Sequence, residues 1–162
     1  MNSILVAYFS ATGVTAKAAS QLSKVLNADL HEIKPAAPYT KADLNWMDQK
    51  SRSTLEMKDP NSRPEIAPES RVENMHGYKT VFLGFPIWWY TAPSIIRTFL
   101  EQYDFSGKTI ILFATSGGSG FGQTAKDLQS SVSPQTAVKE GRLLNGRLSA
   151  EALKSWTEEL GI

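Results

Sequence analysis

Uninterrupted apolar runs alternate along this chain with stretches in which apolar residues recur every three or four positions. The first run, residues 4–9 (Ile-Leu-Val-Ala-Tyr-Phe), has no polar gap and is rich in β-formers, as expected of a strand covered on both faces of a parallel sheet. Ala18, Leu22, Val25 and Leu26 then recur at helical spacing while Gln21, Ser23 and Lys24 can face water, which predicts a helix over 16–26. Residues 29–34 alternate imperfectly and are more polar, so they suit an edge strand, ended by Pro35.

From 36 to 75 the pattern dissolves into Pro, Lys, Asp, Glu and Ser, punctuated by Pro38, Pro60, Pro64 and Pro68. Some helical character remains at 43–57, with Leu44, Met47 and Leu55 as candidate anchors, but most of this insert should be irregular. A loop of that length inside a compact domain is more often functional than idle, so part of it is expected to pack beside a site. Regularity returns with Thr80, Val81, Phe82, Leu83 and Gly84, a buried strand running into the aromatic stretch Phe85, Pro86, Ile87, Trp88, Trp89 and Tyr90. Pro93 is well placed to start a helix whose apolar stripe is Ile96, Phe99, Leu100 and Tyr103. After a turn at 104–108, residues 109–115 read as another buried strand, and the glycine-rich loop 116–122 precedes a helix from Thr124 towards Ser131. Residues 136–141 read as the last strand, and Ser149 can cap a closing helix that buries Leu153, Trp156 and Leu160.

Parallel strands need crossover connections, so this order of elements predicts an α/β, doubly wound fold with helices on both faces of a parallel sheet. Ligands of such sheets bind beyond the carboxyl ends of the strands. Three unusual loops fall there, at 10–15, 86–90 and 116–122, and the fold places them on one rim.

Composition narrows the chemistry. The 162 residues, 41% of them hydrophobic, suit a single domain, 1–162, able to bury its own core. Seventeen Lys and Arg against sixteen Asp and Glu leave a net charge of +1, so no overall field favours nucleic acid or an anionic membrane. The chain has no cysteine, which excludes disulfides, thiolate metal sites and a cysteine nucleophile, and any redox chemistry must come from a cofactor. No segment reads as a membrane span or a signal peptide, and a soluble cytoplasmic protein, monomeric or a weak dimer, is expected.

The loop Ser10, Ala11, Thr12, Gly13, Val14 and Thr15 carries the clearest chemistry. Amide N–H groups at a helix N-terminus lack intrahelical acceptors and sit at the positive end of the helix dipole, so an anion there collects several hydrogen bonds. The Ser10, Thr12 and Thr15 hydroxyls can add donors, and Gly13 lets successive N–H groups converge. An ordinary helix cap with no ligand is the simpler alternative. Trp88 and Trp89 are adjacent and cannot both bury in one direction, which favours a ligand platform over a core role. Gly120, Gly122 and Ala125 match a dinucleotide fingerprint in form, but that motif belongs to the first strand–helix unit, where the hydroxyl-rich loop stands instead. His31 and His76 lie apart from the rim, and no metal-ligand spacing or serine triad occurs.

Taken together, the Ser-Ala-Thr-Gly-Val-Thr loop, the segment Gly84-Phe85-Pro86-Ile87-Trp88-Trp89, the turn Phe105-Ser106-Gly107-Lys108-Thr109 and the loop Thr115-Ser116-Gly117-Gly118-Ser119-Gly120 resemble those of flavodoxin-like proteins that bind flavin mononucleotide (FMN). The resemblance spans nearly the whole chain and implies a three-layer sandwich on a five-stranded parallel sheet of order 2-1-3-4-5. It implies that residues 10–15 hold the FMN phosphate without a cationic side chain in the loop. Pro86, Ile87, Trp88, Trp89 and Tyr90 would flank the isoalloxazine, with Trp88 or Trp89 against a ring face, while Thr115, Ser116, Gly117, Gly118 and Gly120 would approach its polar edge. Many relatives have glycine after the paired tryptophans and asparagine after the phosphate-loop glycine, where this chain has Tyr90 and Val14. A left-handed tyrosine costs about 1–2 kcal/mol, so a different conformation is expected at position 90.

The implied function is electron transfer through the bound flavin, with a redox partner protein or a small electron acceptor. An FMN-dependent reductase that takes hydride from NAD(P)H and reduces quinone-like acceptors is the enzymatic alternative, favoured slightly by the near-neutral charge. A flavin-free binding domain keeping the same fold is the third.

Overall fold

The computed structural model describes residues 3–116, 118–146 and 148–162. Five strands, β1 (Ile4–Tyr8), β2 (Asp29–Glu32), β3 (Thr80–Pro86), β4 (Thr109–Thr115) and β5 (Ala137–Leu143), form one parallel sheet in the order β2-β1-β3-β4-β5. The helices are α1 (Val14–Leu26), α2 (Arg52–Lys58), α3 (Ser94–Gln102), α4 (Thr124–Gln129) and α5 (Ala150–Glu159), with a 3₁₀ turn at Met75–Gly77. The doubly wound architecture and the strand order are as expected.

Alternation along each inner strand divides the core between the two faces of the sheet. Leu5, Ala7, Val81, Leu83, Phe85, Ile110 and Leu112 face Ile95, Ile96, Phe99 and Leu100 of α3 and the insert residues Ile66, Val72 and Met75. Val6, Tyr8, Phe82, Ile111 and Phe113 point the other way, onto Ala19 and Leu22 of α1 and Leu153 and Trp156 of α5. The middles of these strands are apolar at successive positions because both faces are buried.

β5 continues two residues past its expected end. Gly141 is skipped in the pairing between Leu112 and Phe113, and a Cβ on it would lie 2.0 Å from the Leu112 carbonyl oxygen. It is therefore a bulge residue rather than a terminator, and only glycine fits this approach.

The insert is irregular in its greater part, as expected, but its anchors differ. Met47 and Leu55 are exposed, and α2 turns Ser53 and Thr54 inward instead. The segment is held by Ile66, Ala67, Val72 and Met75 in the core, by a β-bridge between Pro35 and Ile66, and by Ser70, whose hydroxyl donates to the Glu32 carbonyl of β2 at 2.6 Å. The helical reading of 43–57 shortens to α2 because Ser51 caps that helix, while 40–50 is a succession of hydrogen-bonded turns.

Candidate functional site

Residues 10–15 join the end of β1 to the start of α1, and Gly13, at φ 95°, is the helix N-cap. The Ser10 Oγ accepts the N–H groups of Gly13 and Ala16, both at 3.1 Å. With its lone pairs so occupied, its remaining capacity is to donate its proton. Thr12, Gly13 and Val14 are exposed, and the N–H groups of Val14 and Thr15 lie in the first helical turn, where no intrahelical acceptor exists. Thr15 is different: its side chain is buried, with Oγ1 2.8 Å from Oγ1 of Thr115. The sequence grouped its hydroxyl with those of Ser10 and Thr12, but the structure commits it to the end of β4.

Thr115 also accepts the Ile87 N–H through its carbonyl, at 2.9 Å, and so ties the first and second loops to the third. Beyond Ile87, Trp88 and Thr91 exchange both backbone hydrogen bonds, at 2.9 and 3.1 Å. Trp89 and Tyr90 are thus the two central residues of a tight turn, with φ 48° and 65°, the signature of a type I′ turn. The expectation that Tyr90 avoids the left-handed region is overturned. A two-residue connection closed at both ends admits few backbone solutions, and the Trp88–Thr91 pair selects this one.

The turn also separates the two indoles. Trp88 is half-buried and meets Phe9 and Tyr39 edge-on, with ring centroids 5.8 and 5.5 Å apart. Trp89 is 43% exposed and Tyr90 69%. In the third loop, Ser116 donates its N–H to the Asn145 side chain at 2.8 Å, and its hydroxyl accepts the Gly118 N–H at 3.3 Å. Gly118 and Gly120 are exposed, whereas Gly117 lies outside the described residues.

A cavity of about 650 Å³ opens between the second and third loops and the insert, lined by Leu44, Trp46, Ser53, Ile87, Trp88, Trp89, Tyr90, Gly118 and Ser119; residues 10–14 line two other clefts. Behind its insert-side wall, Tyr39 donates to the Glu56 carboxylate and the Arg52 guanidinium lies 3.8 Å over the Tyr39 ring. Burial, and then the bond to Glu56, push the Tyr39 phenol far above its ordinary range, so it stays protonated. Leu44, Trp46 and Ser53 were not anticipated as lining residues. The length of the insert had pointed to a segment packed beside a site, and a lone tryptophan was the signal at the residue level.

The family model for flavodoxin matches residues 3–160. The chain belongs to the flavodoxin family. This flavodoxin-family chain is 49% identical to a candidate flavoprotein from Bacteroides eggerthii, with a TM-score of 0.91 over 99% of this chain and 98% of that one. It is 46% identical to a second, from Bacteroides uniformis, with a TM-score of 0.86 over 96% and 97%. A Lactobacillus acidophilus flavoprotein solved in complex with FMN shares the fold at 18% identity, with a TM-score of 0.69 over 97% and 99%. No curated protein gives a significant match. Among the described residues no helix is long and apolar enough to cross a membrane, and no His, Cys, Asp and Glu cluster could hold a metal ion.

Proposed function

We propose that this flavodoxin-family chain binds FMN at the rim formed by residues 10–15, 86–90 and 115–120 and serves electron transfer. The observation that carries the reading is that Thr115 ties the donor-rich, cation-free loop 10–15 to the loop whose Ile87 lines the uncharged aromatic cavity, although residues 10–14 themselves line two other clefts. The donor set fits a phosphate monoester. The N–H groups of Val14 and Thr15, the Thr12 hydroxyl and the Ser10 proton are all available at the helix N-terminus, where the dipole favours negative charge. The cavity fits the flat remainder of the same molecule, with Trp89, the more exposed of the two indoles, set to cover a ring face and Trp88 held edge-on against Phe9 and Tyr39.

FMN supplies the capacity to accept and release one or two electrons. The chain anchors the phosphate, orients the ring by aromatic contact, and excludes water from its inner face through Ile87 and Trp88. The N–H groups of Ser116 and Gly118 are taken by Asn145 and by the Ser116 hydroxyl, so their carbonyl oxygens are the backbone groups that would meet the polar edge. Electron transfer to a partner protein and direct reduction of a small acceptor both remain consistent with this arrangement; the uncharged lining of the cavity favours the second.

Thr12→Ala tests the assignment. Fluorescence titration should show FMN binding weakened by about tenfold and riboflavin binding changed by less than about twofold, since only FMN carries the phosphate. Equal losses for the two ligands would remove the phosphate from this loop.

A further inference from the structure

Rings from three parts of the chain meet behind the cavity. Phe9 follows β1 and directly precedes the loop 10–15, Trp88 belongs to the second loop, and Tyr39 comes from the insert. Each meets the other two edge-on, with centroids 5.6 Å apart for Phe9 and Tyr39, 5.5 Å for Tyr39 and Trp88, and 5.8 Å for Phe9 and Trp88. Contacts of this kind are directional and closely packed, so a ring that shifts displaces its neighbours. Of the three, only Trp88 also lines the cavity.

Tyr39 is gripped from its other side as well. Its hydroxyl donates to the Glu56 carboxylate, which also accepts the Arg52 Nε at 3.0 Å. The Arg52 guanidinium lies 3.8 Å over the phenol ring, and its Nη1 donates to the Ala37 carbonyl at 2.7 Å. The Ser94 hydroxyl, at the start of α3, donates to the Glu56 carbonyl at 3.2 Å. Residues 37–39 are thus clasped to α2, and α2 to α3. Exposed ion pairs fix little, but Arg52 and Glu56 are mostly covered, and their charged hydrogen bonds hold a defined geometry. The same helix carries Ser53, whose N–H donates to the Asp43 carbonyl at 3.0 Å, next to Leu44. Ser53 and Leu44 belong to the insert side of the cavity lining.

We infer that Tyr39, clasped by Glu56 and Arg52, is a positioning residue for this cavity: it sets the gap between the insert wall at Leu44 and Ser53 and the wall at Trp88, and so fits the cavity to a thin planar ring. The inference deepens the FMN reading and rests on it for the identity of that ring. Tyr39 is not itself among the lining residues, so it acts through Trp88 and α2. Because it acts on the ring and not on the phosphate, its loss must weaken FMN and riboflavin alike, whereas Thr12→Ala separates them.

Fluorescence titration with FMN and with riboflavin, together with visible circular dichroism of the bound flavin, tests this in variants shown to be folded by urea unfolding. Tyr39→Leu removes the ring and should weaken both flavins by about tenfold, leaving the ratio of the two affinities within about twofold of wild type. Tyr39→Phe keeps the ring and loses only the hydroxyl, so both flavins should weaken by about threefold. Glu56→Ala cuts the same bond from the other end, and the double variant should bind within about twofold of Glu56→Ala alone. The flavin dichroism should change in all four proteins. Wild-type affinities and dichroism in Tyr39→Leu, even with lowered stability, overturn the inference, as do a loss confined to FMN and multiplying losses in the double variant. Should Tyr39→Leu fail to fold, Tyr39→Phe and Glu56→Ala decide by the same criteria. A wild type that binds neither flavin overturns the FMN reading and this inference with it, whereas one that binds both, indifferent to Tyr39, overturns the inference alone.

Discussion

Trp89 and Tyr90 hold backbone conformations that their residue types disfavour, at a turn whose hydrogen bonds leave them little choice. A non-glycine residue in the left-handed region costs about 1–2 kcal/mol. The Tyr90 side chain recovers little of that by packing, being 69% exposed. Tyr90→Gly removes the strain but gives the unfolded chain more freedom, worth about 0.4–1 kcal/mol. The net expectation is a gain of about 0.5–1 kcal/mol in the stability of the FMN-free protein, measured by urea unfolding. A loss would show that contacts of the tyrosine ring outweigh the strain. This conformation was illegible in the sequence because residue preference at position 90 pointed away from it. What decides it is the pairing of Trp88 with Thr91, which a propensity argument at one position does not capture. Trp88 and Trp89, by contrast, were readable as unequal neighbours, since adjacent indoles at a strand end must diverge.

The inner strands were readable because their apolar runs are bounded by turn residues, and β4 begins and ends where its run does. α1 starts two residues earlier than its apolar periodicity, because the left-handed Gly13 rather than the first buried side chain sets its origin. The course of the insert was not readable, since its core residues Ile66, Val72 and Met75 are spaced by turns and follow no period. The Thr15–Thr115 bond, which joins the first turn of α1 to the last residue of β4 across 100 positions, was equally hidden. Either threonine alone looks like a cap or a strand end. Thr115→Val leaves the Thr15 hydroxyl buried without its partner and should cost about 1–3 kcal/mol in urea unfolding. Adding Thr15→Val replaces both partners by apolar groups of similar shape, so the double variant should be less destabilised than the sum of the single ones, by about 0.5–2 kcal/mol. Additive losses would mean that the two hydroxyls act independently and that α1 and β4 are not coupled through them.

At the scale of the whole molecule, one acid-sensitive and one alkali-sensitive group meet at edge strand β2. His31, in β2, is held below the usual imidazole range by burial first and by the nearby Lys34 charge, against an opposing hydrogen bond involving Ser70. Its Nε2 is buried with no partner among the described residues. As pH falls below about 6.5 the unfolded chain takes up a proton there that the folded chain resists, so stability declines towards acid. On the alkaline side Tyr78, whose hydroxyl donates to Asp29 Oδ2 at the start of β2 at 2.6 Å, contributes alongside the more strongly shifted Tyr39 of the insert. Burial and then the Asp29 carboxylate push the Tyr78 phenol up to about 12. That contribution is complete below about pH 10, the unfolded value, and is lost as pH rises from there to about 12. Unfolding free energy measured against pH should therefore show a plateau near neutrality with a decline on each side. His31→Asn should make the acid limb shallower and leave the alkaline one, and Tyr78→Phe should make the alkaline limb shallower, Tyr39 keeping part of it, while lowering the plateau by about 1–3 kcal/mol through the lost charge-assisted bond. An acid limb unchanged in His31→Asn would move its origin to the surface carboxylates and separate acid sensitivity from β2.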